Sequence, residues 1–266
     1  MKVIDLSIST EESRSEPTGA EVSYLFHEEG AEFLCRFFGC AKEDLVGGLG
    51  CAAETLTLTS HAGTHVDAPW HYAPTSENKK ARTVDEMPLE WFFCDGVVLD
   101  MRHKPNGSAV TVDDLQECLE KMHYRIRPLD IILLHTGADK YWGKAEYFDR
   151  GCGLVRESTL WLLDQGVKVI GTDAWGLDRP FWAIRKEFER THDRGVLWQA
   201  HFAGIEKEYC QIEKLANLDQ LPSPTGFKVA CFPVKLKAAS AGWCRAVAIL
   251  SDESTPKRSR ESTEPC

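Results

Sequence analysis

Four side chains that commonly bind divalent metal ions lie close together in this sequence. His61, His65 and His71 surround Asp67 in the segment 60–72, Ser-His-Ala-Gly-Thr-His-Val-Asp-Ala-Pro-Trp-His-Tyr. Neutral imidazole nitrogens and carboxylate oxygens are the ligands that zinc and manganese take in proteins. One such histidine alone would most often be an ordinary hydrogen-bonded side chain, whereas four ligand-type side chains at this spacing indicate a metal centre.

The segment before these residues has the pattern of a β-strand. Residues 54–59 alternate polar and apolar side chains, Glu-Thr-Leu-Thr-Leu-Thr, which predicts a strand with one buried face. If the alternation continues, the odd-numbered residues His61, His65 and Asp67 share one face. We therefore expect a strand that runs into a tight loop, and this loop turns His71 toward the same place.

The same residues resemble the signature H-x-G-T-H-x-D-x-P-x-H of the cyclase-like metal hydrolases, a family that includes bacterial kynurenine formamidase and isatin hydrolase. Every fixed position of the signature is filled between His61 and His71. The resemblance implies a swivelling β/β/α-type fold that assembles as a homodimer or homotetramer. The early segment 11–19 departs from the Pro-Gly-Asp-type segment of typical relatives, so the substrate-facing wall is expected to differ.

The resemblance also implies ligands from a distant part of the chain. His201 and Glu213 lie where the family places a histidine and a glutamate that complete its metal centre. Considered alone, they would be an ordinary histidine and an ordinary charged residue, so their assignment depends on the analogy. The implied metal ligands are His61, His65, Asp67, His201 and Glu213.

The resemblance further implies a role for each of these residues. His61, His65 and Asp67 hold a first ion, and Asp67 and Glu213 connect it to a second. The centre would therefore hold one or two divalent ions, zinc or manganese. The remaining histidine of the segment, His71, is implied to be a proton donor or acceptor, for which an ordinary imidazole pKa of about 6.5 is suitable.

A metal centre of this kind can activate water for attack on a carbonyl group. A bound divalent ion lowers the pKa of its water to about 7 and polarises the carbonyl oxygen. We therefore predict a metal-dependent hydrolase of the amidase, lactamase or lactonase type that acts on a small cyclic or aromatic substrate. Trp70, Trp91 and Trp175 are candidate substrate contacts, because aromatic walls bind flat apolar ligands.

Two other functions are compatible with the same residues. The metal could polarise a carbonyl for elimination or ring closure, which would make the protein a lyase or cyclase. The protein could instead bind metal without catalysis, in which case its ligands would leave no position for water.

The composition favours a globular protein and argues against nucleic-acid-binding and membrane-spanning proteins. The 266 residues are 43% hydrophobic and 27% charged, which is typical of a globular protein with a substantial core. The net charge of −10 argues against a nucleic-acid partner. No apolar run is long enough for a membrane span, and the first residues lack the apolar region of a signal peptide. We therefore expect a cytoplasmic protein with a small-molecule substrate and no membrane partner.

The elements that must position these residues are strands that alternate with helices. Strands are predicted over 2–7, 96–101, 130–136, 167–172, 227–234 and 243–250, and helices over 111–122, 155–165 and 180–190. This order indicates a partly parallel sheet with helices against it. We therefore predict an α/β fold with a mixed sheet flanked by helices. It forms a single domain over 1–250, followed by a disordered polar tail over 251–266.

A further short helix is expected within residues 21–40. Phe33, Phe37 and Phe38 recur there at helical spacing. Aromatic stripes usually pack in a core or an interface, and we favour that interpretation over an aromatic lid above a ligand.

Overall fold

The structure, a computed structural model, describes residues 1–17 and 19–250, so the predicted tail over 251–266 lies outside the described residues. The strands are β1 (Lys2–Asp5), β2 (Ala20–Leu25), β3 (Ala53–Leu58), β4 (His65–Asp67), β5 (Thr75–Ser76), β6 (Lys79–Lys80), β7 (Phe93–Asp100), β8 (Ala109–Val110), β9 (Ile131–His135), β10 (Gly153–Leu154), β11 (Val169–Thr172), β12 (Cys210–Glu213), β13 (Phe227–Ala230), β14 (Ala241–Trp243) and β15 (Val247–Leu250). The α-helices are α1 (His27–Phe38), α2 (Pro69–Tyr72), α3 (Val112–Lys121), α4 (Arg156–Asp164), α5 (Phe181–Thr191) and α6 (Gln199–Glu206). None of the helices in the described ranges is long and apolar enough to cross a membrane.

Nine strands form one mixed sheet in the order β1-β15-β13-β7-β9-β11-β12-β4-β14. The central strands β7, β9, β11 and β12 run parallel to one another. The strands on either side of this group are antiparallel to their neighbours. The predicted α/β fold with a mixed sheet flanked by helices is confirmed.

Side chains of the central strands alternate between two buried layers. Leu133 of β9 packs in one layer with Ile4 of β1 and Val66 of β4. Because β1 and β4 lie near opposite ends of the strand order, the sheet must curl around this layer. The next residue, Leu134, packs on the other face with Leu115 of α3. The curled sheet therefore has an enclosed core on one face and helices on the other.

Two helices, α3 and α4, have residues at their ends that favour helix capping. The side chain of Thr111 accepts a hydrogen bond from the backbone N–H of Asp114, and the Asp114 carboxylate accepts one from the backbone N–H of Thr111. This reciprocal pair is a capping box at the start of α3, which begins where the helix over 111–122 was predicted. Gly166 follows α4 with a φ of +88°, a conformation that glycine adopts at low cost beyond a helix end.

Two strand predictions were wrong in detail. The predicted strand over 243–250 is two strands, because β14 pairs with β4 whereas β15 pairs with β13 and β1. The predicted buried face of 54–59 is also wrong. β3 pairs with β2 in a separate two-stranded ribbon, its residues are largely exposed, and it adds no side chain to the buried clusters of the described chain. The alternation of polar and apolar side chains in 54–59 therefore belongs to a strand of a solvent-exposed ribbon.

Helix α1 exists as predicted, but its aromatic side chains are not in the core of this chain. Phe33, Phe37 and Phe38 are 40%, 72% and 69% exposed. An exposed cluster of large apolar side chains marks an interaction surface more often than an ordinary exterior. The interface interpretation of this helix therefore stays a prediction, and the core interpretation is withdrawn.

Candidate metal centre

Strand β4 carries His65 and Asp67 into the interior of the large sheet. Hydrogen bonds from β12 and β14 hold this three-residue strand on both sides. The register pairs Glu213, at the end of β12, directly with His65. Because side chains alternate along a strand, His65, Asp67 and Glu213 project from the same face. His65 and Asp67 are fully buried.

Two further histidines reach Asp67 from outside the strand. His61 lies in the loop after β3, and its Nδ1 is 2.8 Å from Oδ1 of Asp67. Its Nε2 contacts the Ser240 hydroxyl at 3.0 Å. Pro69 begins the short helix α2, which turns the chain so that Nε2 of His71 lies 3.9 Å from Oδ2 of Asp67. The predicted continuous strand through position 61 does not form, yet the loop brings His61 to the same place.

Helix α6 supplies His201 from a distant part of the chain. Its Nε2 lies 3.8 Å from Oδ2 of Asp67 and 3.7 Å from Oε1 of Glu213. On the other side of the ring, Nδ1 donates to the Asp178 carboxylate at 2.5 Å. Asp178 also accepts the backbone N–H groups of Ala200 and His201, in the first turn of α6. One carboxylate thus caps the helix and fixes the orientation of its histidine.

The tautomer of His65 is fixed in a similar way. Its Nδ1 donates to the carbonyl oxygen of Gly63 at 2.8 Å, so the lone pair of Nε2 faces Asp67 at 3.2 Å and Glu213 at 3.6 Å. Neither His65 Nε2 nor either oxygen of Asp67 makes a hydrogen bond of acceptable geometry. Buried polar atoms without a partner are rare, and a divalent cation would satisfy all three of these atoms at once.

These side chains form two groups that have Asp67 in common. Ligand-type atoms of His65, Asp67 and Glu213 lie within 4.8 Å of one another, and so do those of His61, Asp67 and His71. The structure therefore places the other five sequence-predicted residues, His61, His65, His71, His201 and Glu213, around the carboxylate of Asp67. It also places His71 as close to Asp67 as the predicted ligand His201.

Burial dominates the electrostatics of this centre. Burial raises the pKa of Glu213, and the nearby charge of Asp67 raises it further. Burial alone would raise the pKa of Asp67 as well, but the imidazoles of His65 and His71 hold it well below its ordinary value. Burial lowers the pKa of His71 to about 4, so its imidazole is neutral at neutral pH. Burial would also lower the pKa of His65 and of His201, but the carboxylates beside them raise it above its ordinary value. Carboxylate and imidazole ligands in this proportion suit zinc or manganese.

A buried ion pair holds the loop that carries His61. The Lys214 ammonium lies 2.9 Å from both carboxylate oxygens of Glu16 and donates to the carbonyl oxygen of His61 at 2.7 Å. Glu16 also accepts the backbone N–H of Gly63 at 2.8 Å. Both partners are at least nine-tenths buried. The pair therefore ties the N-terminal loop, the His61 loop and the end of β12 together beside the centre.

A cavity of about 170 Å³ opens above the centre and has a largely aromatic wall. Trp175 lines it, and the indole Nε1 of Trp175 is buried without a hydrogen-bond acceptor. The lining from the described residues does not include Trp70 or Trp91. Trp70 is 39% exposed, and Trp91 lies against the cations of Arg82 and Lys168, each 5.2 Å from its ring centre.

Residues 4–179 match the model of the Cyclase family, described as "Putative cyclase". The chain belongs to this family. The family resemblance of the segment 61–71 is thereby confirmed. The chain is 27% identical to the kynurenine formamidase of Erythrobacter litoralis over 195 residues, which are 72% of this chain and 74% of that relative. It is 24% identical to cyclase-like protein 1 of Arabidopsis thaliana over 83% of this chain and 78% of that protein.

Solved structures of isatin hydrolases have the same fold. Isatin hydrolase A from Ralstonia solanacearum superimposes with a TM-score of 0.74 and 21% identity, over 94% of this chain and 92% of that chain. An isatin hydrolase bound to the product analogue thioisatinate superimposes with a TM-score of 0.73 and 18% identity, over 94% of this chain and 93% of that chain.

Sequence reasoning missed most of the cavity wall. The Trp198 ring stacks on His201 with 4.1 Å between ring centres and 17° between planes. Its position three residues before His201, at the start of α6, is a signal that could have identified it. Phe148 and Phe181 also line the cavity and pack edge-to-face with Trp175. Nothing in their local sequence pointed to the site.

Replacing the carboxylate behind His201 should weaken metal binding. We expect Asp178→Asn to lower the affinity for zinc by about 10–100-fold, because the Nδ1 proton of His201 loses its charged acceptor. Competition with a chromogenic chelator would measure the affinity. Asp193→Asn, at an exposed aspartate before α6, is the matched control and should leave the affinity unchanged. Equal zinc affinity in Asp178→Asn and the wild type would contradict the role of Asp178.

Proposed function

We propose that this protein is a metal-dependent hydrolase that cleaves a C–N or C–O bond in an amide, lactam or lactone. The observation that carries the proposal is the set of unpartnered ligand atoms around the buried Asp67, at the base of an aromatic cavity. Amide hydrolysis is further supported by the relative named kynurenine formamidase and by the fold shared with isatin hydrolases.

The proposed ligands hold one or two divalent ions, zinc or manganese. They are His61, His65, Asp67, His201 and Glu213. A bound divalent ion supplies two things, a water of lowered pKa and a Lewis acid for the substrate carbonyl. The protein contributes the fixed tautomers of His65 and His201, which keep both Nε2 atoms available.

His71 is the proposed proton shuttle. It lies at the cavity wall, and its ring is 4.1 Å from that of His61 and 5.4 Å from that of His201. From this position its imidazole can take a proton from an attacking water and deliver it to a leaving nitrogen or oxygen. Its helix α2 holds it without help from the other histidines, so its loss need not dismantle the ligand set.

The cavity favours a flat, small substrate. Phe148, Trp175 and Phe181 surround it with ring faces and edges, and such walls bind aromatic ligands. We therefore propose a cyclic or aromatic substrate whose reactive carbonyl faces the histidines at the base of the cavity.

Hydrolysis can be tested by isotope labelling. Zinc- or manganese-loaded protein is incubated in ¹⁸O-water with N-formyl aromatic amines, fused cyclic lactams and aromatic lactones. We expect at least one class to yield a carboxylate with solvent ¹⁸O, because water is the attacking group. Mass spectrometry of the product measures the label. Metal-stripped protein and Asp67→Ala serve as controls and should give no product.

Two results would point away from hydrolysis. Product without solvent ¹⁸O would indicate a lyase or cyclase reaction. Tightly bound metal with no water exchangeable at the ion, and no turnover of any class, would indicate a metal-binding protein without catalysis.

The shuttle role of His71 makes a separate prediction. Replacing His71 by glutamine should lower kcat by about 10²–10⁴-fold, which is the usual contribution of a positioned acid–base group. Metal content, measured by elemental mass spectrometry, should not change. The exposed His103→Gln is the control. Loss of bound metal in His71→Gln would instead indicate that His71 is a metal ligand. Unchanged turnover would exclude both the shuttle role and the ligand role.

The exposed aromatic face of α1 supports a homo-oligomer, a homodimer or homotetramer. Sedimentation velocity should show a dimer or a larger assembly for the wild type. The double variant Phe37→Asp, Phe38→Asp should shift it toward the monomer, because two charges would be buried in the interface. Lys121→Asp, on the exposed face of α3, is the control. A monomeric wild type would contradict this assembly.

A further inference from the structure

A second cluster of ligand-type side chains lies at the ends of two neighbouring strands of the sheet. β9 ends at His135, and Asp173 follows β11 directly. These strands are parallel, and Thr172 pairs with Leu134, so Asp173 emerges beside His135. Asp139 lies one turn beyond β9. Ligand-type atoms of the three residues lie within 4.8 Å of one another.

The imidazole of His135 has an unsatisfied nitrogen within this cluster. His135 is 3% exposed, and its Nε2 is buried without a hydrogen-bond partner. That atom faces Oδ2 of Asp173 at 3.9 Å, which is too long for a hydrogen bond. Two ligands that each lie about 2.0–2.2 Å from one ion can be up to about 4 Å apart, so one ion can reach both atoms.

Both carboxylates have acceptor capacity left over. Oδ1 of Asp173 accepts the backbone N–H and the hydroxyl of Thr136, and Oδ2 accepts the backbone N–H of Gly137. A carboxylate has about four lone-pair positions, so Oδ2 keeps one free. Oδ2 of Asp139 accepts the backbone N–H of Asn217, whereas Oδ1 of Asp139 is buried without a partner. Two atoms without a partner, Nε2 of His135 and Oδ1 of Asp139, therefore converge with an Asp173 oxygen that can accept one more bond.

The charge of the cluster is only partly compensated. Among the described residues, no lysine or arginine lies within 4.0 Å of the carboxylates of Asp139 and Asp173. The side chain of Arg102 passes near Gly137, but its guanidinium makes two hydrogen bonds to Asp100. The charge of Arg102 acts on Asp173 and on His135 from a distance, but it gives neither of them a hydrogen bond. A bound cation would satisfy Nε2 of His135 and Oδ1 of Asp139 together.

We propose that His135, Asp139 and Asp173 bind one divalent ion, zinc or manganese, at a site separate from the centre around Asp67. One imidazole and two carboxylates suit either ion. His135 lines an open cleft of about 870 Å³, which gives a cation a route to the site. Its charged wall is mixed and contains Asp100 and Asp219 as well as Arg102 and Lys121.

The proposed ion would stabilise one wall of the aromatic cavity above Asp67. It joins the loop after β9 to the segment that continues through Ala174 to Trp175. Tyr147 donates to the backbone carbonyl of Asp173 at 3.0 Å and packs with Ala174, so this segment is already held from one side. An ion at Asp173 would hold it from the other side and fix the Trp175 indole in the cavity wall.

Metal stoichiometry tests the proposal without a substrate. Metal-stripped Asp67→Ala is titrated with Zn²⁺ and with Mn²⁺ by calorimetry, and bound metal is then counted by elemental mass spectrometry. We expect this variant to keep one site for at least one of the two ions, and Asp67→Ala, His135→Gln to lose it. In the wild-type background, His135→Gln should bind one ion fewer. His103→Gln, an exposed histidine of the same cleft, is the matched control and should bind as the wild type does.

Two results would overturn the proposal. One is the absence of any bound ion in folded Asp67→Ala, and the other is equal stoichiometry in the wild type and His135→Gln. Circular dichroism establishes that each variant is folded. If His135→Gln does not fold, Asp139→Asn removes a ligand of lower burial and gives the same comparison.

Discussion

The burial of the Asp67 carboxylate is the constraint on which the site depends. Asp67 lies on the inner side of a strand that is paired at both edges, so water does not reach it. The chain supplies no well-oriented hydrogen-bond donor to either oxygen. An isolated buried carboxylate costs several kcal/mol, and here the imidazoles of His65 and His71 outweigh that cost and keep the pKa of Asp67 low. Charge is thereby balanced but hydrogen bonding is not, so a bound cation would satisfy the Asp67 oxygens and would stabilise the folded chain by mass action.

A second layer of contacts gives this centre its geometry. The backbone carbonyl of Gly63 orients His65, and the Asp178 carboxylate orients His201 while it caps α6. The buried pair of Lys214 and Glu16 fixes the loop of His61. Ligands oriented from behind lose little freedom when an ion binds, which favours affinity and a single arrangement. Each of these contacts joins segments that are far apart in the chain.

The parts of the site that are continuous in sequence could be predicted, and the parts assembled by folding could not. The site residues of the segment 61–71 could be predicted because three assigned ligands and the proposed proton shuttle lie within one short stretch. His201 and Glu213 needed the family resemblance, since α6 is a short helix with little amphipathic pattern and β12 is only four residues long. Asp178 lies in the loop after β11, and its contact with His201 becomes evident only in three dimensions.

The strand predictions show the same division. The apolar runs that form β9 and β11 identify buried parallel strands, because both faces of such strands are covered. The alternation in β3 gave the opposite result. A period of two in side-chain polarity indicates a strand, but it does not show whether a core packs against one face of that strand. Burial depends on which other elements contact the strand. The segment 243–250 was divided because its two halves pair with different ends of the curled sheet.

The place of β14 in the sheet has a consequence for how the protein is made. β4 has β14 as its outer neighbour, and His61 contacts Ser240, which directly precedes β14. A growing chain on the ribosome therefore contains the segment 61–71 long before it contains the strand that encloses it. Through most of synthesis, the histidines and Asp67 lack β14 and Ser240 as neighbours. Their surroundings are complete only when the last tenth of the described chain has emerged.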